Sequence, residues 1–275
     1  MCFGTPQTTA PWLINEEGSL KVLEAAHHHG INTWFTSNAY SNGASEKMID
    51  KHSREKLVLM TKCGLHIGEE MDVNEATFPD EMNQSKDYTC NPVLIPERLI
   101  GLSRSTSFQA ANCSLARLGT KYIDLPQAQR YDYLKPPEET MKALHDLVQA
   151  GKIRYLGTSS IKRHNSRGCS SWWKRTSEPS FSEEIEMNRY CEGTGVGLIP
   201  CRLCLREGWL SSYQHPGLTE ADRCIIKRVQ GVAEKKDWKM SHVALIWLKT
   251  KGAIPNVGCT SLKRLARCVS LKGRF

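Results

Sequence analysis

The sequence predicts an α/β protein built from parallel βαβ units, wound as a barrel or as an open sheet. Three observations carry this. Apolar runs of strand length alternate with segments of helical period, glycines close the helical segments, and the connections between them are mostly short.

Residues 16–29 place Leu20, Leu23 and Ala26 at helical spacing and stop at Gly30. The run His27, His28, His29 falls near the negative pole of that helix. Neighbours on a helix point about 100° apart and cannot converge on one metal ion, so these imidazoles are a solvated helix end. A buried strand follows at 31–36, a short helix at 45–51 and a second strand at 56–62. From Cys63 to Leu102 no period holds, and a connection of that length reads as a lid or an insertion, its acids Glu69, Glu70, Asp72, Glu75, Asp80 and Glu81 being solvated loop charges.

Helical spacing returns over 103–118 through Phe108, Ala111, Leu115 and Leu118, with Gly119 as its stop. Residues 122–129 begin as a strand, although Pro126 removes a ladder donor and argues against a central position. A helix at 138–150, stopped by Gly151, leads to a strand at 153–160. The run from Ile161 to Phe181 shows no period, and Trp172 and Trp173 find no apolar partner in register. Regularity resumes at 196–200, in helices at 219–236 and 240–251, and at 254–258. The glycine run GTGVG at 193–197 precedes a strand instead of opening a helix, so it reads as a helix stop and turn and not as a phosphate loop. No repeat or interdomain linker appears, and 1–275 reads as one domain.

Composition narrows the function classes. The chain is 40% hydrophobic and 24% charged, which excludes disorder and collagen. It has no apolar run of about 18 residues, and its first residues lack the order of a signal peptide, so the expectation is a cytoplasmic protein without a membrane span. The net charge is +8, and Lys263, Arg264, Arg267, Lys272 and Arg274 crowd the C-terminus with no acid among them. No aromatic residue interleaves them before Phe275, so the stretch reads as a solvated helix face, and no nucleic-acid partner is expected. Eleven cysteines, an odd number at low density, read as reduced thiols. Cys201 and Cys204 form a C-x-x-C pair with no second half to complete a zinc site, so no metal is expected. Asn83 and Asn112 fit the glycosylation sequon but matter only in a secreted chain.

Several blocks resemble the aldo-keto reductase family, and in particular its fungal members that act on aryl alcohols and secondary metabolites. They are GINTWFTSNAYSNGASEKMI at 30–49, REKLVLMTKCG at 54–64, SLARLGTKYIDLPQAQRYD at 114–132, PPEETMKALHDLVQAGKIRYLGTSSI at 136–161, EGTGVGLIP at 192–200 and VALIWLKTKGAIPNVGCTSLKRL at 243–265. The resemblance implies a (β/α)8 TIM barrel with its active site at the C-terminal ends of the strands, NADP(H) as cofactor and a small-molecule aldehyde or ketone as substrate. The barrel is expected to be incomplete, since MCFG matches only the end of the family's first strand and its closing C-terminal helix is cut at Phe275.

Four residues do the family's chemistry: a tyrosine acid, a lysine that lowers its pKa, an aspartate paired with the lysine, and a histidine near the carbonyl. By resemblance Tyr40 and Lys62 fill the first two positions, each just beyond a predicted strand. Phe35 stands at the aspartate position and Gln129 at the histidine position. Gln129 can donate a hydrogen bond to a carbonyl but cannot relay a proton. Phe35 offers Lys62 no partner, and an unpaired lysine in a desolvated pocket tends to lose its charge. Asn38 is a candidate hydrogen-bond partner for Lys62, though without a carboxylate's charge.

For the cofactor, the resemblance places Ser159 at the nicotinamide amide, Arg202 at the pyrophosphate, and Gly258, Thr260 and Arg264 at the adenosine 2′-phosphate, so NADPH is preferred over NADH. The family's adenine contacts are replaced by Arg267 and Cys268, and its strand after GTSS is not recognisable within 161–181. Two functions follow: a reductase of a fungal polyketide or meroterpenoid pathway, or a catalytically impaired relic of the family with a structural or ligand-binding role. A basic module for anionic partners is a third reading, resting on the charge alone.

Overall fold

The computed structural model describes residues 15–64, 101–129, 132, 135–159, 176–178, 191–200 and 220–271. Its six strands are β1 (Thr33–Phe35), β2 (Val58–Cys63), β3 (Leu125–Gln129), β4 (Gly157–Ser159), β5 (Thr176–Glu178) and β6 (Gly197–Leu198). All are parallel, and each lies beside the next in chain order. Parallel neighbours cannot be joined by a tight turn, so each connection must cross over. Because the order never reverses, successive crossovers wind in one sense, as in a barrel, and no switch point divides the sheet as in doubly wound folds.

The helices are α1 (Glu16–His28), α2 (Ala44–Ile49), α3 (Arg104–Arg117), α4 (Pro137–Gln149), α5 (Glu220–Lys236), α6 (Met240–Thr250) and α7 (Leu262–Val269). Side chains start three of them. Asn15 accepts from the Gly18 N–H, Ser103 from Thr106 and Ser261 from Arg264, each satisfying a donor that the first turn leaves over. Pro137 opens α4, where its missing N–H costs nothing.

Strand alternation separates two apolar layers. Trp34, Leu59 and Ala128 face the helices and pack with Val22, Leu23, Met48, Leu144 and Leu147. Phe35, Met60 and Leu125 form a second cluster with Ile199 that contains no helix residue, which marks it as the inner face of the sheet. On that face the register sets Phe35 opposite Met60, Lys62 opposite Gln127 and Gln129 opposite Ser159. At the opposite end, Asp124 accepts from the Leu59 N–H at 2.8 Å and from Arg54 at 2.5 Å, while Arg54 and Arg154 both lie against the Tyr122 ring. This clamp ties the start of β3 to β2.

Several expectations are corrected. Pro126 sits inside β3, between β2 and β4. Asp124 N donates towards β2, so by alternation the missing Pro126 donor faces the same neighbour, and one ladder bond is lost while the β4 side is intact. The strand expected over 153–160 shrinks to Gly157–Ser159, with Ile153 making only an isolated bridge to Ile123. Within the run of 161–181 that showed no period, Thr176–Glu178 is a strand pairing with β4 and β6; three residues are too few for an alternation to show. Residues 254–257 form no strand, although Ile254 N donates to Leu198 O and holds the segment beside β6. GTGVG is a helix stop: residues 191–194 are helical, Gly195 has φ +71°, and β6 follows. The expected shortening of the first strand, the lid at 65–100, Trp172, Trp173, Cys201 and Cys204 lie outside the described residues.

Candidate active site

The turn after β1 carries Tyr40. Ser41 and Asn42 both have positive φ, at 48° and 52°, before Gly43 at 85° starts α2. Asparagine and glycine tolerate that left-handed geometry better than bulkier residues, which accounts for the small polar run SNG behind the tyrosine. Lys62 lies inside β2 instead of beyond its end, on the inner face, and is 3% exposed. Its Nζ donates to Tyr40 Oη at 2.7 Å. Tyr40 is half-buried, so its ring spans from the buried ammonium towards the surface.

Phe35 does partner Lys62, contrary to the expectation. The ammonium stands 4.0 Å from the centre of the Phe35 ring and 4.7 Å from that of Tyr40. The cation therefore rests on the negative face of the Phe35 ring, beside the Tyr40 hydroxyl, where a carboxylate would have bound it. Such contacts contribute about 2 kcal/mol when desolvated, less than a good buried ion pair but enough to orient the ammonium. Phe35 also extends the apolar floor of Met60, Leu125 and Ile199 up to the lysine. Asn38 is tied to Lys62 through the backbone, its N–H donating to Lys62 O at 3.3 Å.

Gln129 ends β3, and its Oε1, at 3.4 Å, shares the single Ser37 Oγ proton with Asn38 Oδ1 at 3.3 Å, both long bonds. With the carbonyl end engaged, the amide NH2 is the end suited to face a substrate oxygen. Ser37, fully buried, was not anticipated; it also holds the turn through the Ala39 N–H at 3.2 Å. Gln127 was also missed. It is fully buried on the inner face opposite Lys62, and neither amide atom has a hydrogen-bond partner among the described residues. Counting back two positions from Gln129 would have found it.

Two of the cofactor candidates meet in space. Arg264 Nη1 donates to Thr260 Oγ1 at 3.1 Å at the N-terminus of α7, with Gly258 on the loop before it. A hydroxyl, a guanidinium and a helix N-terminus together suit a phosphate monoester. Asn256, two residues before Gly258, has a buried Oδ1 without a partner among the described residues. Ser159 is at the end of β4, buried, beside Gln129 in register. Arg202 lies outside the described residues. Among the described residues no group of histidine, cysteine or acidic side chains could hold a metal ion, and no helix is long and apolar enough to cross a membrane.

Residues 1–271 match the Aldo/keto reductase family. The chain belongs to that family. An aldo-keto reductase of Fusarium vanettenii is 39% identical over 302 aligned positions, covering 96% of this chain and 80% of that protein. Aldo-keto reductase dtxS3 of Metarhizium robertsii is 38% identical with the same coverage, and versiconal hemiacetal acetate reductase of Aspergillus parasiticus is 32% identical over 98% of this chain and 86% of its own. The structure of a glycerol dehydrogenase from Gluconobacter oxydans superposes with a TM-score of 0.73 at 20% identity, covering 99% of this chain and 86% of that one. A thermostable aldo-keto reductase solved with the inhibitor epalrestat gives 0.70 at 18%, covering 98% and 89%. These reductases share the (β/α)8 barrel, and that is the fold of this chain.

Proposed function

We propose that this chain is an NADPH-dependent reductase of a small aldehyde or ketone, working in the cytoplasm as one barrel domain, within fungal polyketide or meroterpenoid biosynthesis. The observation that carries this reading is the 2.7 Å bond from buried Lys62 to Tyr40. An unperturbed phenol, near pKa 10, gives up its proton poorly at neutral pH. A cation on its oxygen stabilises the phenolate, so Tyr40 becomes a better acid towards a carbonyl oxygen.

Gln129 would donate its amide hydrogen to the same carbonyl and orient it, as the engaged Oε1 supports. Gly258, Thr260 and Arg264 would hold the cofactor's 2′-phosphate and Ser159 its nicotinamide amide, with Arg202, outside the described residues, the candidate for its pyrophosphate. The cofactor, when bound, supplies hydride to the carbonyl carbon. The fungal relatives support the metabolic setting, and the match over 1–271 supports a single domain.

A second reading is favoured by the Phe35 ring under Lys62: an impaired family member that keeps the pocket without vigorous turnover. One experiment separates the two. Purified chain is titrated with NADPH by fluorescence quenching and then assayed for NADPH oxidation against a panel of aldehydes and ketones. Turnover that falls at least about a hundredfold in Tyr40→Phe, with cofactor affinity unchanged, supports the reductase. Saturable binding with no turnover on any carbonyl supports the impaired form, and no binding at millimolar NADPH overturns both.

A further inference from the structure

Gln127 occupies a position where packing alone calls for an apolar side chain. Leu125, two positions earlier on β3, belongs to the inner cluster with Phe35, Met60 and Ile199, and strand alternation puts Gln127 on the same face. It is fully buried, and neither Oε1 nor Nε2 has a hydrogen-bond partner among the described residues. Burying an unpaired amide costs folding free energy that an apolar side chain of similar shape avoids, so its presence needs a reason other than the fold.

The strand order supplies one. β2 lies between β1 and β3, and Gln127 is the register partner of Lys62. The buried lysine therefore has the Phe35 ring on its β1 side, 4.0 Å from the ammonium, and Gln127 on its β3 side. A ring holds a cation by its negative face and a carboxamide by the oxygen end of its dipole, both without formal charge. We propose that Gln127 is a positioning residue for the Lys62–Tyr40 pair: with its carboxamide oxygen turned to the ammonium, it supports the cation from the β3 side and strengthens the hold of Lys62 on the Tyr40 oxygen. Because Oε1 makes no hydrogen bond, the interaction is that of a charge with a dipole, which a dry interior strengthens. Its value for catalysis rests on the reading of Tyr40 as the proton donor, whereas the support of Lys62 does not. The other inner-face residues of β1, β2 and β3 near the lysine are Phe35, Met60, Leu125 and Gln129, none of them charged, and the titratable neighbour is Tyr40. Glu46 and Arg117 pair on the helix side, where Thr61 binds the carboxylate and Cys63 packs into the main core. Asp124 and Arg54 pair at the start of β3, away from the lysine's end of the strand.

Tyrosinate formation in the full-length chain, followed by ultraviolet absorbance against pH, reads the pair without cofactor or substrate. The chain has eight tyrosines, so each titration is taken as a difference against the same background carrying Tyr40→Phe. In Gln127→Met and Gln127→Leu the Tyr40 midpoint is expected to move up by about one pH unit, because the phenolate loses part of the support of its cation. Leu125→Met, a volume-conserving change one step deeper on the same face, is expected to leave the midpoint in place. Both Gln127 variants are expected to melt at or above the wild-type Tm, since an unpaired amide has been removed. An unmoved midpoint in both Gln127 variants, or an equal move in Leu125→Met, overturns the proposal. A Tm several degrees lower in both also overturns it, because the amide would then be holding the fold. Turnover under NADPH separates this role from the reductase reading, with a fall in kcat of about tenfold at unchanged KM expected in both Gln127 variants. A midpoint that moves in a chain that reduces no carbonyl keeps the role of Gln127 and removes the reductase. Turnover that depends on Tyr40 with an unmoved midpoint does the opposite.

Discussion

A phenylalanine at position 35 changes what the pocket does to charge. Lys62 lies against the Phe35 and Tyr40 rings, and Gln127, opposite it in register, has both amide atoms buried without a protein partner among the described residues. A carboxylate at 35 would serve the lysine and stand on the same inner face as the glutamine. Phe35→Asp is therefore expected to raise the rate of carbonyl reduction at least about tenfold, with Phe35→Leu giving no gain because it removes the ring without adding charge. Steady-state assays of both variants under NADPH check this. His52 gives a residue-scale prediction of a different kind. Its ring meets Trp34 edge-on at 4.8 Å, and burial holds its pKa below the ordinary value. The unfolded chain thus binds the proton more readily, so this contribution to stability is complete above about pH 6.5 and is lost as the pH falls below it. His52→Phe keeps an aromatic ring against Trp34 and is expected to flatten the fall in Tm between about pH 7.5 and about pH 5.5, measured by thermal melts. Tyr40, Lys62, Gln129 and Thr260 were singled out from the sequence because each sits in a block that resembles the family. The Phe35 contact was not, because a ring offers a cation no charge and its usefulness depends on the ring's face being turned to the ammonium.

At the scale of elements, a buried ionic cluster joins three of them. Glu46 of α2 is fully buried, accepts from Thr61 Oγ1 of β2 at 2.6 Å and pairs with Arg117 Nε of α3 at 2.6 Å. Arg117→Met leaves that carboxylate without its cation and is expected to cost about 3–5 kcal/mol, whereas Arg117→Met combined with Glu46→Met recovers most of the loss. Urea denaturation of the single and double variants gives the coupling directly. Gly64, just past β2, has φ +112°, and a Cβ there would lie 3.1 Å from Gln129 O. Gly64→Ala is expected to cost roughly 1–3 kcal/mol in the same assay and to lower turnover by displacing Gln129. The helices were readable to within a residue or two because their apolar faces, caps and glycine stops are local signals. The strands were readable where they are long, as in β2. Strands β5 and β6 span three and two residues, so pairing with neighbours, which the chain does not encode locally, is what defines them. Pro126 misled for a related reason: a proline's cost in a parallel sheet falls on one neighbour alone.

The whole molecule gathers its proposed cofactor ligands from distant parts of the chain, with Ser159 at the end of β4 and Thr260 and Arg264 at α7, which packs against α1 through the main core. A ligand that bridges such segments binds the folded chain and not the unfolded one, so its free energy adds to the stability of the fold as a unit. At a free concentration near 100 times its Kd, NADPH contributes about 2.7 kcal/mol. Dividing by a melting entropy of about 2.1 cal/mol/K per residue over 275 residues predicts a rise in Tm of about 5 °C. NADH lacks the 2′-phosphate that Thr260 and Arg264 are placed to hold, so at equal concentration its shift should be much smaller. Arg264→Gln should bring the NADPH shift down to the NADH value while leaving the Tm of the free chain within about 1 °C, because Arg264 is half-buried and its guanidinium bonds locally, to Thr260, among the described residues. Differential scanning fluorimetry of wild type and variant with each dinucleotide measures all four quantities. Equal shifts from NADPH and NADH in the wild type would place the 2′-phosphate away from α7.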